Sequence, residues 1–467
     1  MSTPTTDTTT PDSAQPPAVS RKALAIGLCA VIVGIAFEAA AVATAMPVAA
    51  RQLNGLGAYA WAYSLFTIGM LFSTVVCGRL SDRMGPAKPL LVGMIIFGGG
   101  LVIGGTSISW PMLIGGRLVQ GLGGGMLNTA SYVLIAKIYS PAQRPRMFTY
   151  ISMAWVLPGI AGPAAAAWIT RTLGWHWAFF AVLPVLGFGG LMISPTLRLV
   201  LRQPRPAPTD PGDEPTNPAP IWAATVAALS AVAIQYAGQR LDLLAIIPAA
   251  AGVVGLGISL PRLMPAGFMR LARGLSAVVL TRMMLPGAFF GSEAFIPLML
   301  VEQRHLPLTL AGSVLTIGSI GWFTGAWVQS QRWMNMRRER MVTLGTASVA
   351  LGVALIAVAA LVPSTWVGLI AIAWIIAAFG MGVGTATSTV ATMALSSDAQ
   401  QGRNASSLNL GDALGSGLFV GISGSVFTAL RGHHDLASTF GSAFAVMAVV
   451  AVLSVAASTR IGKVPHA

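Results

Sequence analysis

Fourteen apolar runs, each about as long as a bilayer is thick, recur along this chain and leave it little freedom of fold. They lie at roughly 23–47, 56–77, 89–107, 110–138, 147–170, 177–197, 221–238, 241–260, 275–301, 308–329, 341–362, 366–394, 405–430 and 439–459. A helix rises about 1.5 Å per residue, so about twenty apolar residues cross a hydrocarbon core of about 30 Å. Lipid offers the backbone no hydrogen bonds, and runs of this length satisfy it as helices. The chain is therefore expected to be an all-α integral membrane protein. Composition agrees, with 55% hydrophobic residues, only 9% charged and a mean hydropathy of +0.74. The weakest runs, 221–238 and 241–260, form a tight hairpin; were it to lie on the surface, the spans would number twelve.

The net charge of +14 would suggest nucleic acid as partner in a soluble chain, but its distribution argues for a membrane instead. Of the 28 Lys and Arg, five (Arg51, Arg171, Arg240, Arg304 and Arg431) fall in the loops of one side and two (Arg117 and Arg282) inside spans. The other twenty-one fall on the opposite side, which the positive-inside rule makes cytoplasmic, with both termini there. Residues 1–20, rich in Thr, Pro, Ser and Asp, lack the apolar core of a signal peptide and read as a disordered tail. Cys29 and Cys77 both lie within spans and read as packed free thiols, with no disulfide framework or metal site implied.

The Pro-rich stretch 203–218 cannot be a membrane helix and divides the chain after six spans. Six more begin at 275. The expected layout is a tail (1–20), a six-helix bundle (21–199), a cytoplasmic linker (200–220), an inserted hairpin (221–262), a second six-helix bundle (263–460) and a tail (461–467).

Three acids, Glu38, Glu293 and Asp412, sit well inside spans; the remaining eleven of fourteen lie in tails, loops or span ends. A carboxylate at a helix centre costs about 2.5–3.5 kcal/mol on insertion scales, so each needs a partner or a task. A carboxyl held out of water favours its neutral form and can load and release a proton. Glu38 lies nine residues before Pro47 and Glu293 nine before Glu302, each roughly 13 Å from its span's outer end, while Arg117 lies roughly 10 Å from its own. A shared depth for these three suits a central site for protons and substrate between two halves. Arg282 and Asp412, roughly 14 and 12 Å from the inner end, are hypothesised to pair. No histidine lies within a span and no HExxH occurs, which disfavours an intramembrane enzyme.

Between the second and third runs stands Gly78-Arg79-Leu80-Ser81-Asp82-Arg83-Met84-Gly85-Pro86-Ala87-Lys88. It reads as a tight cytoplasmic loop whose glycines let two helices approach and turn and whose basic residues anchor in headgroups. Its spacing resembles G-x-L-x-D-R-x-G of the major facilitator superfamily. Further motifs are similar to that family's. Glu38 precedes Pro47 by nine, with Glu where the family usually has Asp. Arg117 to Gly121 resembles R-x-x-Q-G, with Gln120 in place. Pro158-Gly159-Ile160-Ala161-Gly162-Pro163 resembles the antiporter motif, then departs from it at Ala166 and Ala167. Trp175-His176-Trp177 resembles W-R-W with His176 replacing Arg. A basic stretch in the second half, 331–338, corresponds to the first loop but lacks the Asp.

Six, two and six spans resemble the fourteen-helix drug:proton antiporter branch. The resemblance implies a monomeric secondary transporter of the bacterial cell membrane that exports amphipathic or cationic small molecules against protons, by alternating access, with no cofactor beyond the proton gradient. Glu38, Arg117, Glu293 and Asp412 would couple protons. Gly78, Asp82, Arg83 and Gly85 would gate, with Asp82 meeting a positive helix N-terminus across the halves. Gly159, Gly162 and Pro163 would kink the fifth helix. Gln120, Trp155, Phe289 and Trp322, with Phe290 and Phe323, would line the cavity. The alternatives are a dedicated exporter of one metabolite or lipid, and a non-transporting sensor.

Overall fold

The computed structural model describes residues 21–140, 143–202, 220–240, 242–331, 333–334, 336–396 and 400–464. The tail 1–20, the Pro-rich linker 203–218, Arg332 and Asn335 lie outside the described residues. Among the described residues, the regular structure is helical: α1 Arg21–Gln52, α2 Trp61–Met84, α3 Ala87–Gly105, α4 Trp110–Ile138, α5 Arg144–Thr172, α6 His176–Phe180, α7 Val182–Arg202, α8 Ile221–Arg240, α9 Ile246–Leu263, α10 Leu275–Glu293, α11 Ile296–Glu302, α12 Leu308–Val328, α13 Arg338–Leu361, α14 Val367–Ala394, α15 Gln401–Leu430 and α16 Leu436–Ser458. With α6 and α7 taken as one span, and α10 and α11 as another, the helices make fourteen. Thirteen are long and apolar enough to cross a membrane by composition alone, both members of the α8–α9 hairpin included. The exception is α4, whose apolar run is diluted by Arg117, Gln120, Asn128 and a string of glycines.

The two six-span bundles pack alike. Helix α1 lies against α5 and α7, and α4 against α2 and α3; in the second bundle α10 lies against α15 and α16, and α14 against α12 and α13. The repeat that is faint in sequence is plain in packing. Small residues make the close crossings possible: a Cβ on Gly121 would strike the Phe66 carbonyl, one on Gly123 the Phe97 backbone, and one on Gly345 the backbone of Gly384.

The stretch 78–88 is not a loop of a dozen residues. Helix α2 continues through Met84, Gly85 ends it at φ 78°, and α3 begins at Ala87. Of the two glycines only Gly85 is needed for the turn, because a Cβ on Gly78 would meet nothing within 4 Å.

The bundles meet at the end of the molecule where α1 terminates. There Arg51 of α1 pairs with Glu302 of α11, the Thr428 hydroxyl donates to the Gly57 carbonyl at 2.9 Å, and Tyr59 packs its ring on Phe295, 5.5 Å between centroids. Gly424 of α15 lies directly on Ala60, and Gly312 of α12 on Thr44 and Pro163. Deeper in, Gly417 faces Thr67 and Gly159 faces Ser319. Nearer the Met84 end, Met153 and Trp155 of α5 and Phe323 and Trp327 of α12 are exposed. The α8 helix runs along the seam and packs on both α2 and α15.

Candidate transport site

Glu38 lies near the middle of α1 and is wholly buried. Arg117 reaches it from α4, so two of the charges expected at one depth do meet. The guanidinium also donates from Nε to the Ala62 carbonyl of α2 at 2.9 Å, bonds Gln120 Oε1 and lies over the Phe66 ring, 4.3 Å from its centroid. Gln120 in turn donates to the Gly100 carbonyl at 3.1 Å. One arginine thereby ties α1, α2 and α4 together and, through Gln120, α3. It is at once the counter-ion of Glu38 and a knot to helix carbonyls. Glu38 Oε2 has no hydrogen-bond partner among the described residues.

Glu293 does not join this pair. It ends α10, where the span breaks: Ala294 and Phe295 turn out of the helix and α11 starts at Ile296 with Pro297 in its first turn. Glu293 is half-buried and has neither a hydrogen bond nor an ion pair among the described residues. The Tyr63 hydroxyl of α2 is 3.0 Å from that of Tyr59. A carboxyl without a partner among the described residues thus stands at the break of a discontinuous helix, apart from the buried Glu38–Arg117 pair.

Arg282 and Asp412 meet as a fork. Nε and Nη2 donate to the two carboxylate oxygens at 2.5 and 2.7 Å, while Nη1 donates to the Thr385 carbonyl at 2.5 Å and to Ser388 Oγ at 3.1 Å. The planar guanidinium suits this bidentate geometry and ties α10, α14 and α15.

The aromatic residues divide. Phe289 is 2% exposed and stacks on Trp374, 4.3 Å apart and 18° from parallel, so it belongs to the second bundle's core and does not line a cavity. Gln120 is likewise enclosed. Phe290 and Trp322 are half-buried with centroids 6.1 Å apart, while Trp155 and Phe323 are exposed. In α5, which stays helical through Pro158 and Pro163, Gly159 faces α12 across the seam and Gly162 faces Ala40 of α1. Ala166 and Ala167 are fully buried, so methyl groups fit where glycines were expected. Trp175 stacks on His176 and donates to Gln52 at 2.7 Å, which makes this stretch an anchor for the end of α1. Asp82 and Arg83 are exposed, and Asp82 forms no ion pair among the described residues. Among the described residues Asp82 is not seen to meet a helix N-terminus, and the halves join at the opposite end.

Tyr59, Tyr63, Trp374 and the Arg51–Glu302 pair were not singled out by sequence reasoning. Pro297 was an available signal for the break at Glu293, since proline favours a helix's first turn.

The Major Facilitator Superfamily profile matches residues 26–352, well over half of the chain. The chain belongs to this superfamily. It is 24% identical to a probable multidrug-efflux transporter of Mycobacterium tuberculosis over 430 residues, 88% of each chain. It is 30% identical to Multidrug resistance protein 3 of Bacillus subtilis and 31% to an acurin A biosynthesis cluster MFS-type transporter of Aspergillus aculeatus. These two alignments span only 38% and 39% of this chain and 34% and 32% of those relatives. Among solved structures, a POT family transporter in complex with a thioalcohol-conjugated peptide superposes with a TM-score of 0.69 at 16% identity, covering 95% of this chain and 96% of that one. A bacterial homolog of the lysosomal transporter Spinster, inward-facing and unoccupied, gives 0.64 at 14%, covering 94% and 97%. At such identities the likeness is one of fold.

Proposed function

We propose that this superfamily member is a proton-driven exporter of amphipathic or cationic small molecules, working by alternating access as a monomer in the bacterial cell membrane. The observation that carries this reading is Glu293: a carboxyl deep within a span, half-buried, at a helix break and without a partner among the described residues, is chemically free to exchange a proton for a cation. Glu38, locked to Arg117, supports that site as a fixed dipole. Phe290 and Trp322 on the same bundle offer loose apolar and π contacts to a lipophilic cation. The charge bias of the loops makes the Met84 end cytoplasmic. With the halves joined at the Arg51 end, the site would then open inward. The named relatives in drug efflux favour this reading over an importer. A dedicated exporter of one metabolite is the second reading, favoured by the relative named for a biosynthesis cluster.

The test is efflux of a fluorescent lipophilic cation from energised everted vesicles. Transport should collapse with a protonophore and in Glu293→Gln, while Glu302→Gln at the rim retains proton dependence. Full transport by Glu293→Gln, or indifference to the pH gradient, would sink the proton-coupled reading.

A further inference from the structure

The connector from α9 to α10, residues 264–274, takes no part in the transport site, and its chemistry points outward. Phe268 pins it, buried with the apolar residues that pack α8 against α2 and α15. Around that pin the backbone passes twice through the left-handed region, at Gly267 (φ 84°) and at Leu271 (φ 51°), a conformation leucine rarely adopts. Ser276 Oγ donates to the Ala266 carbonyl at 2.8 Å, and the Ala272 N–H to that of Gly267 at 3.1 Å, which holds the turn. Met269 and Leu271 are consequently exposed and alternate with exposed Arg270 and Arg273.

Further cations gather beside them. Arg262, in the last turn of α9, lies over the exposed ring of Trp222, 4.9 Å from its centroid. The Gly274 N–H donates to the Arg460 carbonyl at 3.2 Å, which brings Arg460 and the following Lys463, both exposed, to the same surface. None of these five cations forms an ion pair among the described residues. Glu339, which accepts from the Val464 N–H, is already held by Arg337 at 3.1 Å.

An exposed tryptophan and two exposed apolar side chains set among exposed arginines compose a segment suited to the headgroup layer. We propose that this surface binds anionic phospholipid. The arginines would pair with headgroup phosphates while Met269 and Leu271 enter the acyl boundary. A free phosphate ester would satisfy the arginines but leave both apolar side chains in water, so the lipid is the occupant the surface fits. Because α8 packs on both bundles, lipid held at the hairpin's exit bears on the seam between them.

The full-length protein in nanodiscs of phosphatidylcholine, with and without phosphatidylglycerol, tests this by native mass spectrometry of retained lipid. The triple substitution Arg262→Gln, Arg270→Gln and Arg273→Gln should weaken phosphatidylglycerol binding roughly a hundredfold at low salt, since each cation near an anionic surface contributes about fivefold. The matching triple change to Lys, which keeps the charge and the fold, should retain it. Undiminished phosphatidylglycerol binding in the Gln variant would overturn the proposal, as would an equal loss of phosphatidylcholine or an equal loss in the Lys variant. Displacement by soluble glycerol phosphate would overturn the assignment to lipid.

Discussion

At the scale of single residues, two carboxyls near the middle of the molecule live in opposite circumstances. Glu38 is sealed against Arg117, and removing its charge leaves a buried guanidinium with no counter-ion, held by the Ala62 carbonyl, Gln120 and the Phe66 ring. Breaking such a pair from one side costs about 3–5 kcal/mol. Glu293 has no such bond to break. Glu38→Gln should therefore lower the thermal unfolding temperature of the purified protein markedly, while Glu293→Gln should leave it within the scatter of surface variants and still lose proton-dependent efflux. Equal unfolding temperatures for the two variants would refute the division of roles. The Asp412–Arg282 fork belongs with Glu38 in this respect, since removing the Asp412 charge weakens the bonds of Arg282 Nε and Nη2 and leaves only Nη1 held, by α14. The sequence could place all five charges by depth, because rise along a helix converts residue number into height. Equal depth matched Arg282 to Asp412, which do meet, but it also grouped Glu293 with Glu38 and Arg117, a pair that Glu293 does not join. Contact depends on rotation, at about 3.6 residues per turn, and on which helices are neighbours, and both are settled by packing elsewhere in the chain.

At the scale of elements, the spans were legible because apolar length is all that crossing a bilayer requires, whereas their interruptions and extensions were not. The break after Glu293 and the continuation of α2 to Met84 depend on local bonds that hydropathy does not register. The inserted hairpin shows a further limit. It was readable as two short spans, yet its place along the α2–α15 seam has no trace in its composition. There α8 presents Gln235, 2% exposed, with both amide atoms unpartnered among the described residues and Gly421 of α15 packed closely against it. A buried unpaired amide carries a desolvation penalty of about 1–3 kcal/mol, and an apolar side chain of like volume removes it. Gln235→Met should accordingly raise the unfolding temperature in detergent. A fall would mean that the amide has a partner in solution, and the hairpin would then be a binding element instead of a packed one.

At the scale of the whole molecule, the question is whether the seam opens. The bundles touch through small residues at Ala60, Gly417 and Gly424 on one side and at Gly159, Gly312 and Ser319 on the other. Contacts built from glycine and alanine gain from close approach without interlocking long side chains, so they can part without repacking either bundle. A Cβ on Gly417 would stand 3.6 Å from that of Thr67, close to the roughly 3.8 Å typical of a disulfide. The pair Thr67→Cys and Gly417→Cys, in a chain whose Cys29 and Cys77 are replaced by Ala, should therefore cross-link α2 to α15 on mild oxidation. If transport needs these helices to separate, efflux should fall in proportion to the cross-linked fraction seen by gel shift and return on reduction. Quantitative cross-linking with undiminished efflux would show that substrate passes without parting the seam, and a rocking mechanism would have to be abandoned for this protein.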